Sequence, residues 1–304
     1  MQPPYNNSTL STSHRAGRYI GRLAPSPTGL LHLGHAATFY AAHQRAQAAN
    51  GALLLRIEDL DTERSKQHFI DAVLEDLAWL GIAWRPPALY QSQRLPLYRE
   101  ALDHLLITGH IYPCHCSRKD LAGMMHAPHE DTDDELVYPG ICRPALNTQQ
   151  REAPFQPNIN YRFRVPNDAV IHFEDRNLGP QSFTAGKDFG DFLIWRKALG
   201  HDPNAGLPSY QLACVVDDAD SNITEIVRGR DLLKSTARQI LLQRALSLPT
   251  PDYFHTNLLT DEHGIRLAKR HDALAIRTLR QQGLTPAEIL HMATRRMTTV
   301  TSDS

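Results

Sequence analysis

Hydrophobic positions over residues 18–109 fall into strand-length runs and helix-period stripes. Tyr19 to Ala24 is a short apolar and polar segment that predicts a strand. The chain then turns through Pro25, Pro27 and Gly29 and enters a helical pattern at His32. That Ala-rich helix is expected to run to Asn50 and stop before Gly51. Ala52 to Ile57 is a nearly continuous apolar run, as in a buried parallel strand. Residues 62–81 predict an amphipathic helix with Phe69, Val73, Leu77 and Leu80 on one face, and residues 94–109 predict another. Strand, helix and strand with a tight turn at the first junction make a Rossmann-type half.

From Tyr112 to about Asn160 the periodicity is lost, and His, Cys, Pro and acidic residues dominate. Strand-like segments follow at Tyr161–Val165 and Asp191–Trp195. Tyr210 to Asp218, YQLACVVDD, is expected to return to a buried strand, and ITEIVRGRDLL to lead into a helix. A last helical region is expected from about Leu232 to Thr294, with the loop DEHGIRLAKRHD inside it. The expected fold is α/β. A Rossmann-type parallel-sheet domain (18–112 and 191–245) is split by an insertion (113–190) and followed by a helical region (246–295), between a disordered leader (1–17) and a frayed tail (296–304).

The chain has 304 residues, 41% hydrophobic and 21% charged, enough for a core and two domains. No apolar run approaches the roughly 18 residues of a membrane span. The leader lacks the apolar centre of a secretory signal, so a cytoplasmic location is expected. A formal net charge of −1 argues against a broad nucleic-acid footprint while leaving room for a local one.

The candidate chemistry begins at the first turn. A strand leading through a tight turn into a helix aims backbone N–H groups and the positive helix end at one spot, which suits a phosphate. His32 and His35 sit there, with Gly34 between them allowing close approach. Three of the four cysteines, Cys114, Cys116 and Cys142, cluster in the insertion and suit zinc, which takes four ligands in structural sites. The fourth ligand could come from Tyr138, His115, His126 or His129, and zinc chemistry alone favours a histidine. Cys214, alone in an apolar run, reads as a core residue.

The run RLAPSPTGLLHLGH, Arg22 to His35, resembles the HIGH signature of class I aminoacyl-tRNA synthetases. Its APSPTG portion is similar to the glutamyl branch, Ala24 and Ser26 favouring glutamate over glutamine. The resemblance implies that His32, Gly34 and His35 bind ATP and that the two imidazoles stabilise charge as its α-phosphate is attacked. GIRLAKR, Gly264 to Arg270, stands where the family has its KMSKS loop. Arg266, Leu267, Ala268 and Arg270 depart from that pattern and Lys269 keeps its second lysine, which implies that Arg266 and a catalytic Lys269 meet ATP. RIEDLDTER places Glu58 at a strand end, where it can accept an α-ammonium group; Asp61 and Glu63 read instead as first-turn acids of the next helix. For glutamate the resemblance implies a pocket of Arg22, Leu23, Ala24, Pro25, Ser26, Glu58, Tyr210 and Arg228, with Arg22 and Arg228 each able to bind a carboxylate. Asp217 and Asp218 read as structural or nucleotide-facing.

The C-x-C…Y-x-x-x-C spacing and the short run of chain after Lys269 resemble one subfamily, the glutamyl-queuosine tRNA(Asp) synthetases, which lack the anticodon-binding domain. That resemblance implies Tyr138 as fourth ligand of one structural Zn²⁺, Mg²⁺ accompanying ATP, and a monomer acting on L-glutamate and tRNA(Asp) carrying queuosine. Two other functions remain open: a stand-alone glutamyl-tRNA synthetase charging an acceptor end, and a non-catalytic RNA-binding relative.

Overall fold

The structure, a computed structural model, describes residues 18–116, 137–144, 155–197, 206–259 and 274–298. The expected leader, His126, His129, the segment with Arg266 and Lys269, and the tail beyond residue 298 lie outside the described residues.

Strand β1 (Ile20–Leu23) pairs in parallel with β2 (Ala52–Ile57), and β3 (Arg85–Tyr90) extends the sheet on the far side of β2. Helix α1 (Leu33–Ala48) connects the first two strands and α2 (Gln67–Trp79) the next two. A stripe of small and apolar residues, Ala36, Ala37, Phe39, Ala42 and Ala46, lets α1 lie close on its neighbours. The stop after α1 takes two residues. Asn50 adopts φ 48°, and Gly51 lets the chain pass so near Tyr19 that a Cβ there would stand 2.5 Å from the Tyr19 carbonyl oxygen. Helix α2 begins later than its apolar pattern suggests. Asp61 accepts the backbone N–H of Arg64 at 3.2 Å and its Nε at 2.7 Å, holding a turn, so Asp61 and Glu63 are not first-turn acids.

Helix α3 (Leu95–Ile107) leads to an antiparallel sheet of order β4-β5-β8-β9: β4 (Ile111–Cys114), β5 (Asn160–Phe163), β8 (Phe192–Arg196) and β9 (Leu207–Pro208). Between β5 and β8 run β6 (Val170–Asp175) and β7 (Gly179–Thr184), a hairpin. It joins β10 (Glu225–Gly229) and β11 (Asp252–Thr256) in the order β10-β11-β6-β7, the first two pairings parallel. This second parallel pair is fastened to the first. The Thr224 N–H donates to Ile20 O and the Ile20 N–H to Thr224 Oγ1, both at 2.9 Å.

Two expectations are corrected. Tyr210–Asp218 is not a strand: it lies in helix α4 (Tyr210–Asp220), capped by Ser209, whose hydroxyl accepts the Leu212 N–H. Every residue from Leu212 to Asp218 is buried, so the run shows no polar stripe from which a helical period could be read. The region after Leu232 is not helical throughout. Helix α5 (Leu233–Ala245) is followed by strand β11 before α6 (Ile276–Gln281) and α7 (Pro286–Thr298).

One apolar core joins α1, α2, β1 and β2 to Ile276, Leu279, Ile289 and Ala293 of the last two helices; another joins α3, α4 and α5 to β5 and β8. Ala275 bridges antiparallel to His32, and the Ile276 N–H donates to Leu31 O at 2.9 Å. Leu259 packs in the same core, against Gly34.

Candidate active site

The carboxyl ends of β1, β2 and β10 open on one crevice, where ligands of parallel α/β sheets bind. The turn after β1 is tied to the segment after β2 by the Glu58 N–H, which donates to Pro25 O at 3.0 Å. At the start of α1 the two histidines cap the helix reciprocally. Nδ1 of His32 accepts the Gly34 N–H, and Nδ1 of His35 accepts the His32 N–H, both at 3.2 Å. Their ring centroids stand 3.8 Å apart. A ring whose Nδ1 accepts carries its proton on Nε2, so this cap makes each Nε2 a donor. Gly34 is needed for it: a Cβ there would stand 3.1 Å from the His32 ring.

Below the crevice lies a chain of buried ions. Asp218 accepts from Arg22 Nε at 3.2 Å and from Arg56 Nη1 at 2.6 Å. Arg56 Nη2 continues to Glu58 Oε1 at 3.1 Å; Ser26 Oγ donates to Glu58 Oε2 at 3.3 Å and the Cys214 thiol to Oε1 at 3.5 Å. Burial pushes the Asp218 carboxyl up, but Arg56 and Arg22 outweigh it and hold the group below its ordinary range. Asp217 accepts from Arg94 Nε at 2.7 Å, Gln91 Nε2 at 2.8 Å and the Tyr98 hydroxyl at 2.9 Å. Both aspartates are thus structural. Cys214 is buried as expected, yet it lies under Glu58 and not in a purely apolar setting. Arg22 is half occupied by the protein: Nε goes to Asp218 and Nη1 to Val227 O at 3.1 Å.

Arg228 differs from these. It is 5% exposed, yet its side-chain hydrogen-bond partners among the described residues are all neutral. Nε donates to His255 Nε2 at 3.3 Å, Nη1 to the Tyr210 hydroxyl at 3.4 Å and Nη2 to Thr236 Oγ1 at 2.6 Å. One N–H remains on each terminal nitrogen. Tyr210 beside it is 37% exposed and borders the open crevice; burial and the nearby Cys214 push its phenol up, while Arg228 pulls the other way. The structure therefore brings Arg22, Ser26, Glu58, Tyr210 and Arg228 to one place, with His32, Gly34 and His35 at the adjoining helix end. A cavity of about 280 Å³ is lined by Leu54, Leu89 and Ile223 together with Arg22 and Arg56, so Arg22 borders both places.

At and beyond the end of β4, the Sγ atoms of Cys114, Cys116 and Cys142 lie within 4.8 Å of one another. The Tyr138 hydroxyl is 3.6 Å from Cys114 Sγ and 3.5 Å from Cys116 Sγ, and accepts the Cys142 N–H at 2.9 Å. Burial raises the Cys142 thiol, but hydrogen bonds from Tyr138 and the His115 backbone bring it down to about 7. The side chain of His115 is exposed.

Residues 20–304 match the family described as tRNA synthetases class I (E and Q), catalytic domain. Curated relatives named glutamyl-Q tRNA(Asp) synthetase include that of Symbiobacterium thermophilum, 42% identical over 90% of this chain and 85% of its own length. The chain belongs to this family. Other members are a synthetase of Rhodobacter capsulatus, 42% identical over 89% of this chain and 98% of its own, and one of Burkholderia cenocepacia, 44% identical over 85% and 82%. Among solved structures, a glutamate-tRNA synthetase from Elizabethkingia anophelis superimposes with a TM-score of 0.69 at 27% identity, over 83% of this chain and 53% of that one. A glutamate tRNA ligase from Elizabethkingia meningosepticum, in complex with its amino acid, gives 0.68 at 27%, over 84% and 52%. The chain spans about half the length of these two solved enzymes.

Several residues that shape the synthetase crevice escape a reading by motif. Arg56 stands two residues before Glu58, so its neighbourhood was visible but its burial was not. Asp175, Thr236 and His255 come from three separate elements, and nothing local marks them.

Proposed function

We propose that this synthetase activates L-glutamate with ATP and transfers the glutamyl group to the queuosine base in the anticodon of tRNA(Asp). In the first step an oxygen of the glutamate α-carboxylate attacks the α-phosphorus, giving glutamyl-adenylate and releasing pyrophosphate. In the second a hydroxyl of the queuosine cyclopentenediol attacks the activated carbonyl, giving an ester and AMP. No protein nucleophile is required, so orientation and charge stabilisation carry the rate. The Nε2–H groups of His32 and His35 suit the phosphates, Glu58 suits the α-ammonium, and Arg22 offers its remaining N–H groups to a carboxylate. Leu23, Ala24 and Pro25 line the turn with Ser26. Arg266 and Lys269 supply cations for the triphosphate, and Mg²⁺ accompanies ATP chiefly through its phosphates.

The observation that carries this reading is Arg228, a buried guanidinium without a carboxylate partner among the described residues. A buried cation of this kind is costly until an anion joins it, and the side-chain carboxylate of glutamate would supply that anion. Glutamine would bring the same shape without the charge. For the insertion, a tetrahedral zinc with thiolate bonds of about 2.3 Å has ligand-to-ligand edges of roughly 3.5–3.8 Å. The 3.5 Å and 3.6 Å separations among Cys114, Cys116, Cys142 and the Tyr138 hydroxyl fit such an ion, with Tyr138 as fourth ligand and a structural role.

Pyrophosphate exchange into ATP, measured with glutamate, glutamine and aspartate side by side, tests activation; exchange is expected with glutamate alone. Labelled glutamate should then pass to tRNA(Asp) that carries queuosine and to no tRNA that lacks it. Efficient charging of tRNA(Glu) would establish the stand-alone enzyme instead, and absence of any exchange a non-catalytic relative.

A further inference from the structure

His255 on β11 is 0% exposed, and its two ring nitrogens face opposite kinds of partner. Nδ1 is 2.6 Å from Asp175 Oδ2. That carboxylate also accepts the backbone N–H groups of Asn177 at 3.0 Å, Leu178 at 2.9 Å and His255 itself at 3.0 Å. Burial raises the Asp175 carboxyl, but these donors outweigh it and keep the group below its ordinary range. An ionised carboxylate only accepts, so Nδ1 bears a proton. On the far side of the ring, Nε2 is 3.3 Å from Arg228 Nε, which can only donate. Nε2 must therefore offer its lone pair. The Thr236 hydroxyl, 3.0 Å away, is compatible with this, since it accepts from Arg228 Nη2 and can turn its own proton to Nε2 or to Leu232 O. One protonation state satisfies every contact: neutral His255 with its proton on Nδ1.

We infer that Asp175 and His255 form a positioning pair that holds Arg228 in place for the side-chain carboxylate of glutamate, with His255 neutral and protonated on Nδ1. The inference rests on the proposed glutamate activation and adds a support that no motif of the chain contains. Asp175 fixes the tautomer, the tautomer supplies the acceptor, and the acceptor fixes the rotation of the guanidinium about its Nε. With Nε and Nη2 held, the free N–H of each terminal nitrogen keeps a constant direction. An imidazolium at this place would set N–H against N–H and a cation beside a cation. Asp175 from β6, Arg228 from β10, Thr236 from α5 and, at longer range, Arg22 from β1 are the polar groups that bear on the ring; Phe173 and Tyr253 pack near it. Burial first, then Arg228, push its titration below the ordinary range, against the pull of Asp175.

Two measurements test this. Nitrogen-15 NMR of the histidine rings in the full chain needs no substrate. At pH 7.5 it should show His255 as the neutral tautomer protonated on Nδ1, and a cation or the Nε2-protonated tautomer would overturn the inference. The second is pyrophosphate exchange. His255→Leu should raise the KM for glutamate roughly tenfold to a hundredfold, the usual weight of a hydrogen bond to a charged group. The KM for ATP should change by less than about twofold, since a lost ground-state contact acts on its own ligand. His255→Gln, whose amide oxygen can accept from Arg228, should recover most of the loss. An unchanged glutamate KM in His255→Leu would overturn the inference. Should the unaltered chain show no glutamate-dependent exchange, the functional reading fails by itself, and the NMR result still decides the state of His255.

Discussion

Under the proposed function, recognition of glutamate turns on a single guanidinium, Arg228. It lies in a buried place and, among the described residues, makes three hydrogen bonds to neutral groups and none to an anion. A lysine there would keep the charge but lose the planar set of donors. Arg228→Lys is therefore expected to raise the KM for glutamate at least roughly tenfold while ATP binding, measured by equilibrium dialysis, stays as it was. Unaltered glutamate affinity would remove Arg228 from the pocket. At this scale the sequence was partly legible. Arg22, Glu58, Tyr210 and Arg228 could be named because each sits in a short run with a family resemblance, and the fold brings them together. Asp175 and His255 could not. They are 80 positions apart, each in an unremarkable strand, and only the pairing of β6 with β11 joins them.

Single elements were legible where burial left a stripe and illegible where it did not. Strand β2 has the bounds that its apolar run predicts, and α1 ends within two residues of its predicted stop. Helix α4 reads as a strand because it is buried on all sides from Leu212 to Asp218; the local signal for a helix is Ser209, a good N-cap residue. Helix α2 holds a different surprise. Asp76 is 0% exposed; among the described residues neither carboxylate oxygen accepts a hydrogen bond, and Arg277 Nε stands 3.5 Å away. Burial pushes its carboxyl up to about 6. The folded chain thus binds this proton more tightly than the unfolded chain does, so stability should fall as pH rises from about 4 to about 6 and remain lower above that. Asp76→Asn mimics the protonated form. It is expected to stabilise the protein at pH 7.5 by up to about 3 kcal/mol and to change little at pH 4, as measured by urea unfolding. Equal stabilisation at both pH values would contradict this assignment.

At the scale of the molecule, parallel strands from distant parts of the chain frame one crevice, while in the antiparallel sheet beside them β4 ends at Cys114, near Cys116 and Cys142. The loss of periodicity after Tyr112 coincides with the change from the parallel strands β1–β3 to the antiparallel sheet that starts at β4. The separate sheet containing β6 and β7 was not legible, because short strands such as GPQSFT show no clean alternation. If zinc ties β4 to the segment of Tyr138 and Cys142, elemental analysis should find about one zinc per chain. Its removal by a chelator should lower the melting temperature and expose the thiols to a colorimetric reagent, while α1 and its histidine cap keep their protection from hydrogen exchange. A melting temperature indifferent to chelation would exclude a structural ion.

The stretch that carries Arg266 and Lys269 begins after Leu259, which leans on Gly34, and ends before Ala275, which is bridged to His32. Both of its roots are therefore planted on the histidine turn itself. Leu259 and Ala275 thus share one footing with the imidazoles, so any displacement of either reaches the rings of His32 and His35 without passing through the rest of the molecule.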